Sequence, residues 1–337
     1  MTKLTKKNTK KNTKKNTKKN TKKDIKIYHK KKITTKQFRY HKTKYNKHVC
    51  KIVTEKPYKN KDNFIKLINT YKIKKFKNKE FTIYPYCSEK INISVYLDKE
   101  NMFKIDKTLL NIIETEYNCK YNKDDKLIKE IGKNYIAQKN DPCKFIEYMF
   151  KNLNNKNHFI ITHSNFLKKL SNYIRNNKCS IINHSTKLNK KKTKTQSYED
   201  IYDNLDILQL VIDISDKDNY KLKYGIIRRF DEKYKLYSSF NIGSDKQICN
   251  KNTKSIFLMR HCVACHNISN IILRQIKMGY GLYSSCMDNT STELNSVKKN
   301  LRTIIKDYGG LKSFHFGSSI VFRAILTLLI VYNSIIY

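Results

Sequence analysis

At 337 residues the chain has room for one or two domains with a substantial core. Its net charge of +43 is uneven: residues 1–80 hold 30 Lys or Arg against 4 Asp or Glu, so +26 of the total lies there. Lys, Asn, Ile and Tyr are abundant while Gly and Pro number only 8 and 3, a bias that reads in part as the product of AT-rich codons. The charge is therefore weaker evidence for a nucleic-acid partner than its size suggests.

Nine cysteines at scattered spacings, with no apolar leader after the first lysines, point to free thiols in a reducing compartment. The expected location is intracellular, cytoplasmic or nuclear, and not secreted. The one long apolar stretch, Ala324–Tyr337, is 14 residues and falls short of the roughly 20 that cross a bilayer. A buried helix and no membrane span are expected.

Residues 5–24 repeat Thr-Lys-Lys-Asn with period four, Asp24 replacing the last Asn. No apolar residue interrupts the repeat, so nothing offsets the entropy of ordering it. Residues 1–75 are expected to be a basic, largely disordered tail, with a short helix near Asn63–Tyr71. Non-specific nucleic-acid contact by residues 1–80, or nuclear import, is an open use for it beside a bare solvated tail.

An α/β pattern begins near residue 76. Phe81–Tyr84 reads as a strand ending at Pro85, and Leu109–Tyr117 and Leu127–Tyr135 as helices. Pro142 suits the first turn of a helix reaching Leu153. His158–Thr162 is a predicted strand and Ser164–Ile174 a helix, with Phe166, Leu167 and Leu170 on one face. Lys187–Thr195 is a lysine-rich loop. Leu205–Ile214 follows as a strand and Tyr220–Tyr237 as a hairpin, after which 238–253 is a polar connector. A second series comprises strand Ser255–Arg260, helix Asn267–Lys277, helix Thr292–Tyr308, strand Ser313–Gly317 and a helix carrying Arg323. Alternating strands and helices predict a three-layer fold, a mostly parallel sheet with helices on both faces.

Three segments pass from an apolar run into a polar turn: Phe159–Phe166, Phe257–Asn267 and Ser318–Thr327. Such turns place reacting groups at strand ends of an open sheet. Arg260-His261 with Asn267, and Ser318-Ser319 with Arg323-Ala324 and Thr327, resemble the arginine–histidine–glycine and Ser-Ser-x-x-x-Arg-Ala motifs of the histidine phosphatase superfamily, the phosphoglycerate mutase-like fold. Asp288 through Thr292-Glu293-Leu294-Asn295 looks like the family's Leu-Thr-x-x-Gly helix start. Tyr84-Pro85-Tyr86-Cys87-Ser88-Glu89 is similar to the strand end bearing its acidic residue, and Thr162-His163-Ser164 to its second histidine motif. The family's order runs Arg-His, Ser-Ser/Arg, Glu, second His; here the last two come first.

Joining Tyr337 to about Lys77 restores the family order, which implies a circular permutation. Residues 76–215 would then supply the family's C-terminal half, 216–253 a connector and 254–337 the N-terminal half. Two truncated copies pairing between chains, or a decaying gene remnant, is the competing reading. The resemblance implies a metal-independent phosphomonoester hydrolase acting on a phosphorylated small molecule or phosphoprotein, with no cofactor. His261 would be the nucleophile and Glu89 the proton donor to the leaving oxygen. His163 would add a donor for developing charge, and Arg260, Arg323, Asn267 and Ser318 would bind phosphate. Two family glycines are replaced, one by Cys262 and one by Ser164, where a side chain could crowd the phosphate.

Other readings stand beside this one. His163 could simply cap its helix, Glu89 could be a solvated glutamate beside Lys90, and Arg323 a surface arginine. Cys262-Val263-Ala264-Cys265-His266 matches a haem-attachment pattern, which would need an exported apoprotein. Zinc on His261, Cys262, Cys265 and His266 would lack a second Cys-x-x-Cys pair, and adjacent ligands are awkward for a tetrahedral ion. Cys262 beside a cationic site could instead be a reactive thiol. A sugar-phosphate mutase has no identifiable pocket here, and a non-catalytic nucleic-acid-binding protein is the alternative from another class.

Overall fold

The computed structural model describes residues 71–84, 107–123, 142–151, 155–175, 202, 204–216, 220–230, 236–242, 252–262 and 290–337, together with Ile65 and Asn69. Eight strands form one sheet: β1 (Lys79–Ile83), β2 (Cys119–Lys123), β3 (Asn157–Thr162), β4 (Ile207–Asp213), β5 (Lys221–Phe230), β6 (Leu236–Ile242), β7 (Thr253–Arg260) and β8 (Phe314–Ser318). Their order is β2-β1-β8-β3-β7-β4-β5-β6. The first five positions are parallel and β4, β5 and β6 add antiparallel, so the sheet is mixed and mostly parallel. Helices α1 (Lys107–Tyr117), α2 (Pro142–Lys151), α3 (Ser164–Arg175), α4 (Thr290–Asp307) and α5 (Phe322–Ile336), with a 3-10 turn at Leu311–Ser313, complete the described elements.

The central strands β3 and β7 are near-continuous apolar runs because both of their faces are covered. Strand alternation sorts their side chains. One face carries an aromatic row across five strands, Tyr121, Phe81, Phe316, Phe159 and Phe257; Phe159 lies 5.9 Å from Phe316 and 6.0 Å from Phe257 between ring centroids. Tyr332 of α5 sits edge-on against Phe81 and Phe316, at 5.2 and 5.0 Å. The next residue in β8, Gly317, points the opposite way, where a Cβ would run into the Tyr84 ring. Tyr84 packs on Phe145 of α2 and Phe145 on Phe166 of α3, at 5.8 and 5.5 Å. Helices therefore cover both faces.

Helix α5 is buried almost all round, as expected of Ala324–Tyr337, and no helix among the described residues is long and apolar enough to cross a membrane. Its far end closes onto the chain just ahead of β1: Tyr337 Oη donates to the Lys75 carbonyl at 3.0 Å, and the Lys74 N–H donates to Asn333 Oδ1 at 2.9 Å.

The expected strands and helices that fall on described residues form within a few residues of their predicted bounds, with three differences from the sequence reading. β2 was not anticipated. The polar segment from 238 is strand as far as Ile242, so the stretch between the two halves contributes both β5 and β6 to the sheet. Cys119 is a free thiol, but Cys143 and Cys262 are each disulfide-bonded, so the expectation of free thiols and of a reactive Cys262 is corrected at those two positions. Scattered spacing carries no information about which sulfurs the fold brings together. The tail, the helices predicted at 127–135 and 267–277 and the lysine-rich loop lie outside the described residues, as does most of the helix predicted at 63–71.

Candidate functional site

β1, β8, β3 and β7 are parallel neighbours, so their C-terminal ends share one edge of the sheet. Such an edge is where open α/β sheets hold ligands. His163 follows β3, His261 follows β7 and Ser319 follows β8. Backbone bonds extend the strand pairing past its formal end: the His261 N–H donates to the Thr162 carbonyl and the Ser319 N–H to the Ile161 carbonyl, both at 2.9 Å. The histidines and serines are thus carried on rigid backbone.

The two histidine rings meet edge to face, 4.9 Å between centroids. His163 Nε2 shares a 2.7 Å hydrogen bond with Ser319 Oγ, while the His163 carbonyl accepts the Leu167 N–H at 3.0 Å. Its backbone therefore starts α3 while its ring faces the site. Arg323, in the first turn of α5, donates from Nε to Nε2 of His261 at 3.2 Å. His163, His261, Ser318, Ser319 and Arg323 are all buried, so Arg323 is no surface arginine.

The hydrogen bonds assign the protonation of His261. Arginine carries only donors, so Nε2 must be the accepting nitrogen. Nδ1 lies 2.6 Å from the Cys262 carbonyl, an acceptor only, so Nδ1 carries the proton. His261 is consequently neutral in this arrangement, its Nε2 lone pair turned toward a guanidinium. An imidazole in that state has a lone pair able to act as a nucleophile, and a guanidinium beside it is a group able to bind an anion.

Arg260 is differently placed. Its Nη1 donates to the Tyr202 carbonyl, which also accepts from Ser164 Oγ at 3.4 Å. Tyr202 is itself tied through its hydroxyl to Ser171 of α3. Backbone bonds link Arg260 to Leu205 and Asp206 just ahead of β4, and Leu205 adopts a left-handed φ of 68° there, an uncommon conformation for leucine. Ser318 Oγ is buried with no hydrogen-bond partner among the described residues. An orphaned buried hydroxyl is costly and suits a position where a ligand oxygen belongs.

The structure thus brings together His163, His261 and Arg323, with Ser318 and the backbone of Arg260 at the same strand ends and the Arg260 guanidinium on the Tyr202 carbonyl. Glu89 and Asn267 lie outside the described residues, as do Asp288, Cys265 and His266. The zinc alternative loses two of its four ligands: both ring nitrogens of His261 are engaged and the Cys262 sulfur is in a disulfide. Ser319, Tyr202, Asn204 and Thr327 also hold the site but were given no role from the sequence. Only Ser319 and Thr327 carried a signal, their fixed spacing around Arg323. Comparisons with protein-family models, curated proteins and solved structures returned no match.

Proposed function

We propose that the chain is a metal-independent phosphomonoester hydrolase with a circularly permuted histidine phosphatase-like domain. The observation that carries this reading is the Arg323 Nε to His261 Nε2 contact at 3.2 Å, with the His163 ring 4.9 Å from that of His261. Nε2 would attack phosphorus and form an N–P bond as the ester P–O bond breaks, with Glu89 giving its proton to the departing oxygen. Water would then attack the phosphohistidine and return a proton to Glu89, releasing phosphate and the neutral imidazole. Arg323 and a donor on His163 would hold the non-bridging oxygens as charge accumulates on them. The contact of Tyr337 with Lys75 supports the permutation, because it sets the chain end beside the segment to which family order would join it.

The test is hydrolysis of p-nitrophenyl phosphate by the full chain in the presence of EDTA, with acid quench to capture labelled phosphohistidine. His261→Ala should abolish both turnover and label. Full activity in that variant would overturn the reading.

A second reading, a non-catalytic polyanion-binding protein, is favoured by the uneven charge and by a hollow along α4 lined by Lys298, Lys299, Arg302, Thr303 and Lys306. Binding to single-stranded DNA that falls steeply with salt, with background phosphatase activity, would favour it.

A further inference from the structure

The peptide unit that follows His261 is held from both sides by side chains of two separate elements. Its carbonyl, that of His261, accepts from Asn204 Nδ2 at 2.8 Å; its N–H, that of Cys262, donates to Thr327 Oγ1 at 3.1 Å. Asn204 belongs to the turn ahead of β4 and Thr327 to the second turn of α5. The Thr327 hydroxyl donates to the Arg323 carbonyl at 2.7 Å, which leaves an oxygen lone pair for Cys262. A peptide unit is planar, so fixing its oxygen and its hydrogen fixes the whole plane and the two soft torsions beside it. One of them aims the His261 side chain. The other sets the path on which the chain leaves toward the Cys262 carbonyl, the acceptor of the Nδ1 proton.

We propose that Asn204 and Thr327 are positioning residues that lock this peptide plane and thereby hold His261 in its Nδ1-protonated tautomer, lone pair toward Arg323. Neither residue touches the reacting atoms. Thr327 in addition ties the His261 turn to the same helical turn that bears Arg323, so nucleophile and guanidinium keep a fixed separation. The effect on turnover rests on the hydrolase reading; the tautomer does not.

The experiment uses the full chain labelled with nitrogen-15 histidine, the His261 signals being assigned by their loss in His261→Gln. Long-range proton–nitrogen NMR should show one Nδ1-protonated tautomer for the parent chain. Thr327→Val and Asn204→Ala should give a mixture of tautomers, and Thr327→Ser should restore the parent spectrum. In turnover, kcat should fall about 10- to 100-fold with KM little changed, the scale of a misplaced reacting group. Thermal unfolding separates loss of fold from loss of aim, and Asn204, at a partly exposed position, serves if Thr327→Val does not fold. An unchanged His261 tautomer in both folded variants overturns the proposal. A shifted tautomer in a chain with no phosphatase activity sustains the peptide lock and rejects the hydrolase.

Discussion

His163 and Ser319 stand 156 positions apart in the chain and share a 2.7 Å hydrogen bond at the heart of the site. Both are buried, and Ser319 Oγ also receives the Val321 N–H at 3.3 Å, so the serine is fixed before it fixes the histidine. Ser319→Ala should lower turnover roughly 2- to 10-fold, the worth of one hydrogen bond. A double-mutant cycle with His163→Ala should show strong non-additivity; additive losses would mean that the two act separately.

Arg323 supplies a rigid planar fork that lysine cannot reproduce. Arg323→Lys should cost about 100-fold in kcat/KM, the scale for losing a donor aimed at transition-state charge. Near-parent kcat/KM would place the phosphate elsewhere.

Acid should weaken the fold through β8. His315 faces His158 of β3, ring centroids 5.4 Å apart, and its Nε2 lies 2.6 Å from Thr82 Oγ1. Burial, and then the charges of Lys156 and Lys79, hold its pKa below the usual histidine range against a smaller opposite pull from Glu80. As pH falls below the unfolded value of about 6.5, the unfolded chain takes up a proton that the folded chain resists. Stability from this site is thus full above that pH and declines until the folded histidine itself protonates. The urea midpoint should drop between pH ~7.5 and ~5, and His315→Asn should flatten the dependence. An equal drop in the variant would assign the effect to other groups.

Gly317 leaves the room that Tyr84 occupies. A Cβ there would meet the Tyr84 ring and come within 2.7 Å of the Thr82 carbonyl, so Gly317→Ala should destabilise by about 1–3 kcal/mol, as overpacking does. Chemical denaturation measures this directly.

The bond from Tyr337 to Lys75 makes the permutation testable by rearrangement. A chain in which Tyr337 is joined to residue 74 through a short linker and reopened between 243 and 251 should fold with a similar melting temperature. Failure to fold would show that the present connectivity is required.

Much of this arrangement was legible in the residues. β3 and β7 stood out as apolar runs ending at polar turns, and α5 as an apolar stretch too short for a bilayer. β2 was not visible because its five residues, Cys119-Lys120-Tyr121-Asn122-Lys123, bury Cys119 and Tyr121 but leave Lys120 and Asn122 exposed at an edge of the sheet, a pattern with little apolar signal. β6 is the opposite edge, and its Ser-Ser centre reads as loop. Within the site, the sequence assigned phosphate binding to Ser318, whose hydroxyl is buried without a partner among the described residues, and gave no role to its neighbour Ser319, which bonds His163. Asn204 donates its side-chain amide to the His261 carbonyl and Tyr202 offers its own carbonyl to Arg260, contacts made by tertiary packing that no spacing announces.

β8 lies between β1 and β3, yet it comes last in chain order among the described strands. Until residues 314–318 emerge, the sheet is two separate pieces with bare edges facing each other, and both histidine-bearing strands are already made. The nascent chain can therefore pair β3 with β7 and bring His163 beside His261 early, but the groups that bond them, Ser319 and Arg323, arrive only with the closing segment, and until then two strand edges stay open to wrong partners.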